Sequence, residues 1–365
     1  MLLRCTKLFA VIAGVAFAVG TYGVPQAMAE VNFADKKIEL IVPFREGGGG
    51  DTYARLFSPY LARYLPGKPT ILIRNFPGGG SIKGNNKFEA RGKPDGLTMV
   101  TVSTSSMVSQ IFGGKKVKYD ILGWRPVIVS PHGTVLYALA STGIKGKDIV
   151  ADIKTLRGQK LKYGAKKATA SELRAILSFE LLGLDVKSIF GLSRGKSRKA
   201  MMRGELQLNH DTAGSYFKKV AKLVRDGTVV PLYTLGYPKA TGVVRDPAFP
   251  DLPHVAEVYE KLNGKKPSGQ NWKALQYFMN MGVMASKGFA LPKGTPDDIY
   301  DTFVAAAKAA VQDKEFRKRA KKLLGVYPQS FGKDAAKIYK NAVKLPPDVD
   351  KWLRAYIKTK FDVDT

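Results

Sequence analysis

The sequence predicts an α/β protein built from two α/β units. Three observations carry this prediction. Short apolar runs alternate with amphipathic stretches from Lys37 onward, glycine-rich loops stand where a strand gives way to a helix, and the alternation starts afresh near residue 140.

In chain order, Ile38 to Val42, Thr70 to Arg74, Leu97 to Val102, Val127 to Ser130 and Val135 to Ala140 read as short, largely buried strands. Asp51 to Tyr64 sets Tyr53, Leu56, Phe57, Tyr60, Leu61 and Tyr64 at helical spacing, with Asp51 as the expected N-cap. The second unit follows with strands at Lys160 to Gly164 and Val186 to Phe190, and helices at Ser171 to Leu182 and Arg198 to Arg203. The proline-rich Asp246 to Pro253 reads as the surface crossing between the units. Thr295-Pro296-Asp297-Asp298 is a helix start, with a Thr cap, Pro at the first helical position and acids in the first turn. Helices are expected at Asp297 to Gln312, Lys314 to Leu324, Lys333 to Ala342 and Asp348 to Lys358.

The N-terminus reads as a secretory signal. Arg4 and Lys7 precede an apolar run from Leu8 to Val19, and Ala27-Met28-Ala29 supplies a small-x-small cleavage site. The run falls short of the ~20 residues that span a bilayer. Cleavage after Ala29 removes the single cysteine, Cys5, so no thiol, disulfide or cysteine-bound metal is expected in the mature chain. The chain carries 59 Lys and Arg against 30 Asp and Glu, a formal charge of +29. The lysines are spread rather than blocked with aromatics, which points to a basic solvated surface rather than a nucleic-acid footprint. Such a field steers small acids toward the protein.

Gly47 to Gly50 lie between the first strand and the first helix. They match neither phosphate-loop template: no Lys follows at the Walker position, and Tyr53 stands where a third glycine is required. What remains is a loop whose amides, with the helix N-terminus behind them, suit an anion of carboxylate size. Pro77-Gly78-Gly79-Gly80 repeats the arrangement after the second strand, and Ser103 to Ser106 follows the third. Loops after parallel strands share one sheet edge, where open α/β sheets bind ligands. The serines suit either a carboxylate or the cap of the next helix.

Gly191-Leu-Ser193-Arg-Gly195 matches the G-x-S-x-G elbow of a serine hydrolase, with Asp246 or Asp251 and His254 as paper partners. Against this, the preceding strand is short and no HGGG-type oxyanion loop occurs. His132, His210 and His254 lack metal spacing, so neither a metal nor a cofactor is expected.

The order of these pieces resembles the periplasmic substrate-binding receptors of tripartite tricarboxylate transporters, the Bug receptors. The resemblance rests on Pro43-Phe44 before Gly47 to Asp51; on Asn75, Pro77, Gly78 and Gly80; and on Pro94-Asp95-Gly96. It extends through Tyr163, Gly164, Thr169 and Ser171, the Phe249 to Val258 stretch, and the Ala-Leu-Pro-Lys-Gly-Thr-Pro helix start at 290–296. Arg45-Glu46 and Lys166-Lys167 depart from the family's small residues, either as extra attraction for a polyanion or as solvated side chains. Leu65 to Lys68 and Asn263 to Ala274 lengthen the usual pattern.

The resemblance implies a type II periplasmic binding protein, two α/β domains with a ligand cleft between them. One domain is expected from 30–136 and 278–365, the other from 137–277. It implies a non-catalytic monomer that captures a small organic carboxylate and passes it to membrane permease subunits. The implied ligand-binding set is Phe44, Arg45, Gly47, Gly48, Gly49, Gly50, Asp51, Asn75, Gly78, Ser103, Ser105, Ala165, Lys166, Thr169, Ser171 and Asp211, with backbone amides of the 44–51 and 165–171 loops holding the proximal carboxylate. A secreted hydrolase using Ser193 is the rival reading.

Overall fold

In the computed structural model, which describes residues 31–365, the strand-like runs assemble into two mixed sheets and a small hairpin. The expected signal segment, residues 1–29, lies outside the described residues. The first sheet contains β1 (Lys37–Val42), β2 (Thr70–Asn75), β3 (Thr98–Ser103), β4 (Arg125–Ser130), β12 (Lys287–Leu291) and β13 (Ser330–Phe331), in the order β13-β4-β12-β3-β1-β2. The second contains β5 (Thr134–Leu139), β6 (Leu161–Gly164), β7 (Val186–Ile189), β8 (Leu208–Thr212) and β9 (Val229–Thr234), in the order β7-β6-β8-β5-β9. The hairpin pairs β10 (Tyr237–Lys239) with β11 (Gly242–Val244).

β1 runs parallel to both β2 and β3, so all three end at one sheet edge. In the second sheet β6 runs parallel to β7 and β8, with the same consequence. β1 is covered on both faces, which is why its sequence is apolar without strict alternation. Ile38, Leu40 and Val42 join the core under the helix Gly49–Tyr64, while Ile41 packs on the opposite side with Ile82 and Phe88. The rings of Tyr53 and Phe57 lie 4.6 Å apart and meet Phe289 of β12 and Phe316 of the helix Lys314–Leu324. Aromatic side chains bury ~150–250 Å² each, so this cluster ties the chain's C-terminal part onto its first sheet.

The helices Asp297–Gln312 and Lys314–Leu324 match their expected spans. Two expected caps do not hold. Helix Gly49–Tyr64 begins two residues before Asp51, with Gly48 as N-cap, because the glycines themselves enter the helical turn. The Asp51 carboxylate reaches back instead to the amide of Gly47 at 2.8 Å. Likewise Pro296 occupies the N-cap position, and the Thr295 hydroxyl donates to the Pro292 carbonyl at 2.8 Å.

Asp246 to Pro253 is not the crossing between sheets. Asp246 is buried and accepts a hydrogen bond from Tyr327, and the segment leads into helix Val255–Asn263, which still packs beside β9. The chain crosses at 131–133, between β4 and β5, and again after helix Gly269–Met279, through a π-helical turn at Asn280–Met284 into β12. The second half of the 263–274 stretch read as an extension is the start of that helix. Helix Ile82–Arg91 was invisible in sequence: with Gly84, Asn85 and Asn86 near its start it has weak intrinsic propensity, and its Ile82 and Phe88 are stabilised by packing on the sheet.

Candidate functional site

The parallel strands of both sheets end around one cavity of about 1150 Å³. From the first sheet it is lined by residues 43–50 after β1, 77–81 after β2 and 103–105 after β3. From the second come Lys166, Lys167 and Ser171 after β6, Gly191 and Ser193 after β7, and Thr212 and Ser215 at the end of β8.

Each loop has a local reason for its shape. At the first, Asp51 is 2% exposed and accepts hydrogen bonds from Gly47 N (2.8 Å), Arg55 Nε (3.0 Å) and Asn75 Nδ2 (3.0 Å). Asn75 also donates to the Phe44 carbonyl at 3.0 Å. Burial favours the neutral acid, but these donors outweigh it and hold the Asp51 pKa below the ordinary carboxylate value. Asp51 and Asn75 therefore stand behind the loop and shape it, outside the cavity lining. The amides of Gly49 and Gly50 open the helix without an acceptor among the described residues. In the second loop Gly78, Gly79 and Gly80 take φ of +145°, +58° and +72°. These positive φ values are what require glycine in the loop, since the nearest neighbour of a Cβ on Gly80 is the flexible side chain of Lys167. In the third, Ser103 caps the helix Thr104–Phe112 and accepts from Ser105 N at 3.2 Å. Ser105 Oγ instead accepts from Lys166 Nζ, at 2.7 Å.

The remaining expected residues divide as follows. Phe44, Arg45, Gly47, Gly48, Gly49, Gly50, Gly78, Ser103, Ser105, Lys166, Ser171 and Asp211 line the cavity together. Ala165 and Thr169 are buried behind it: the amide and carbonyl of Ala165 pair with Ile189 and Leu192, and the Thr169 carbonyl accepts from Ser109 Oγ. Lys166 turns inward, to Ser105, Ser171 (3.2 Å) and Glu172 (3.3 Å), whereas Arg45 is exposed at the rim.

Beyond Arg45, Lys166 and Lys167, sequence reasoning missed the cationic wall. Eleven Lys and Arg side chains line the cavity against three acids, Glu46, Glu172 and Asp211. Helix Arg194–Met202, which begins with the second half of the GLSRG pattern, aims Arg194 and Arg198 inward one turn apart. Arg194 pairs with Glu172 at 2.6 Å, and Arg198 with Asp211 at 2.6 Å. Asp211 also accepts from Tyr137 at 2.8 Å. Burial works against the charge of Arg194, yet Tyr163, Glu172 and Asp211 hold its pKa above the usual value. Because a guanidinium cannot accept, its contact with His210 Nε2 at 2.9 Å makes that nitrogen the acceptor. Nδ1 then carries the proton and donates to Tyr163. Burial and Arg194 push the His210 pKa well below its ordinary value, in keeping with this neutral form.

The hydrolase constellation does not assemble. Ser193 lies at the cavity wall as the N-cap of its helix, but among the described residues no histidine hydrogen-bonds it. His254 faces Glu257, and Asp246 bonds Tyr327 rather than an imidazole. No group of three or more potential metal ligands occurs among the described residues.

Two α/β domains with the cavity at the parallel-strand ends define the class: a type II periplasmic binding protein fold. Comparison with known proteins agrees. The chain is similar to a UPF0065 protein of Bordetella pertussis, with 26% identity over 281 residues, 76% of this chain and 77% of that one. In fold it is similar to the periplasmic binding protein BugD, at a TM-score of 0.65 and 19% identity over 90% of this chain and 98% of that one. It is also similar to MatC of Rhodopseudomonas palustris, solved with bound malate, at a TM-score of 0.65 and 20% identity over 87% of this chain and 98% of that one. No protein-family model matches the chain. The likeness in fold to BugD is in keeping with the resemblance to Bug receptors read from the motifs.

Proposed function

We propose that this protein is an extracytoplasmic receptor that captures a small organic carboxylate between its two sheets and delivers it to the membrane subunits of a tripartite tricarboxylate-type transporter. The observation that carries the reading is the convergence of the free Gly49 and Gly50 amides and the cationic wall on one cavity. Carboxylate charge is what such a site stabilises, through amide dipoles on one side and fixed cations on the other. The malate held by MatC supports the ligand class, and the likeness to periplasmic receptors supports export to the periplasm. We read the cavity as a binding site rather than a catalytic one, a reading supported by Ser193 having no hydrogen bond to a histidine among the described residues. A thermal-shift screen of mono-, di- and tricarboxylates tests the reading: an acid at ~100 times its Kd stabilises the native state by roughly 2.7 kcal/mol. A complete absence of stabilisation by organic acids sinks it.

A further inference from the structure

Lys287 opens β12, a strand that has no signal in the sequence, and is 6% exposed. Its side chain crosses the floor of the cavity toward the start of helix Gly49–Tyr64. The position of a Cβ built on Gly49 lies 3.3 Å from Lys287 Cε and 3.9 Å from Nζ. The ammonium therefore stands beside the unpaired amides of that helix start, where the helix dipole is already positive. Among the described residues its one side-chain hydrogen bond runs to the Thr212 hydroxyl, at 3.3 Å, at the end of β8 in the opposite sheet, and no carboxylate forms an ion pair with it. Arg174, also a lining residue and 3% exposed, donates to the Gly282 carbonyl at 2.7 Å and leaves its Nε without a partner.

Two buried cations and a helix N-terminus thus meet at one end of the cavity, and neither cation forms an ion pair among the described residues, although Glu172 acts on Arg174 and Asp211 on Lys287. We propose that Lys287 reads the charge of the ligand's acid head, so that the site takes free organic acids and rejects their amides. This rests on the receptor reading above and adds to it a residue and a selection rule. An acid seated at Gly49 supplies the missing counter-ion, whereas an amide leaves the ammonium buried and unpaired.

Proton linkage follows from the same geometry. Burial, reinforced by Arg174, lowers the Lys287 pKa to about 7. The charged or titratable groups facing it are Arg174 from helix Leu173–Leu181, Asp211 from β8 and His132 from the turn between β4 and β5. His132 is itself held neutral by burial and by Lys287. Asp211 is the one acid among them, and Arg198 and Tyr137 already occupy it. An anion on Lys287 raises its pKa, so above about pH 7 binding draws one proton from solvent onto Nζ. Lys167, lowered to about 8 chiefly by burial, is the other lining lysine able to take up a proton in this range.

Calorimetry with malate, adipate and citrate, and with their primary amides, at pH 6.5 and 8.5 in two buffers of different ionisation enthalpy, tests the proposal. For an acid that binds, wild-type affinity is expected to fall several-fold from pH 6.5 to 8.5 with proton uptake, and the amide to bind at least tenfold more weakly. Lys287→Met, with its fold checked by circular dichroism, should remove the uptake and most of the acid-over-amide preference, whereas Lys167→Met should leave the uptake in place. The wild-type acid-to-amide ratio stands as a readout even if the variant fails to fold. If acids bind but wild type does not discriminate, or Lys287→Met retains uptake and preference, the role of Lys287 is overturned and the receptor reading stands. If no acid binds wild type, both fall.

Discussion

Lys166 Nζ donates to Ser105 Oγ at 2.7 Å, joining the loop after β6 in the second sheet to the helix that follows β3 in the first. Ser171 N approaches the same hydroxyl at 3.4 Å, and Lys219 reaches the Gly47 carbonyl from the far wall. These bonds span the cavity from one sheet to the other.

Removing that link shifts the balance toward an open form. A hydrogen bond to a charged group contributes ~1.5–3 kcal/mol, so Lys166→Met is expected to weaken carboxylate binding by roughly tenfold or more. Small-angle scattering should show a larger radius for the ligand-free variant than for wild type, with contraction on adding a saturating acid. Equal radii in both proteins would mean that the link does not control closure.

Neighbouring glycines in the first loop should behave differently. A Cβ on Gly49 meets only the flexible end of Lys287, at 3.3 Å, and Ser215 Oγ at 3.7 Å, whereas a Cβ on Gly50 lies 2.6 Å from the Phe44 ring. Gly49→Val is therefore expected to cost under about 1 kcal/mol of apo stability but to block approach to the amides, with at least a tenfold loss of affinity. Gly50→Ala should destabilise the fold by ~1–3 kcal/mol through overpacking. Urea unfolding of both apo variants, beside ligand titration, checks the contrast; matched losses of folding and binding in Gly49→Val would reduce the loop to a structural turn.

Lys287 also gives apo stability a pH signature. Its folded pKa of about 7 lies below the ordinary lysine value of 10.5, so between those values the unfolded chain binds the extra proton. Stability from this group therefore rises with pH across that window, and the full penalty of a buried charge is present below about 7. The stabilising effect of Lys287→Met should be several kcal/mol near pH 6.5 and should shrink toward pH 9.5. Denaturant midpoints for both proteins at the two pH values measure it; a gain that does not vary with pH contradicts a buried, depressed lysine.

The sequence by itself determined the elements whose signals are local. Apolar runs marked β1 to β7, turn chemistry placed the glycine loops at strand ends, a strong helix-start signal located Asp297–Gln312, and the helix at Lys314–Leu324 was expected after it. Parallel connection then put Gly47 to Gly50, Gly78 and Ser103 at one edge. Tertiary structure decided what local pattern cannot carry. Asp51, read as a cap, and Asn75, read as a ligand contact, became the brace behind the loop because partners 24 residues apart meet only after β1 and β2 pair. GLSRG suggested an enzyme, yet the fold turns its helix so that Arg194 and Arg198 face the cavity, and among the described residues no histidine hydrogen-bonds Ser193. Lys287 had no local signature at all. Its burial, its missing counter-ion and its place at a helix start far earlier in the chain arise only when β12 inserts between β3 and β4. An unpaired charge is a property of an assembled environment rather than of a residue in a string.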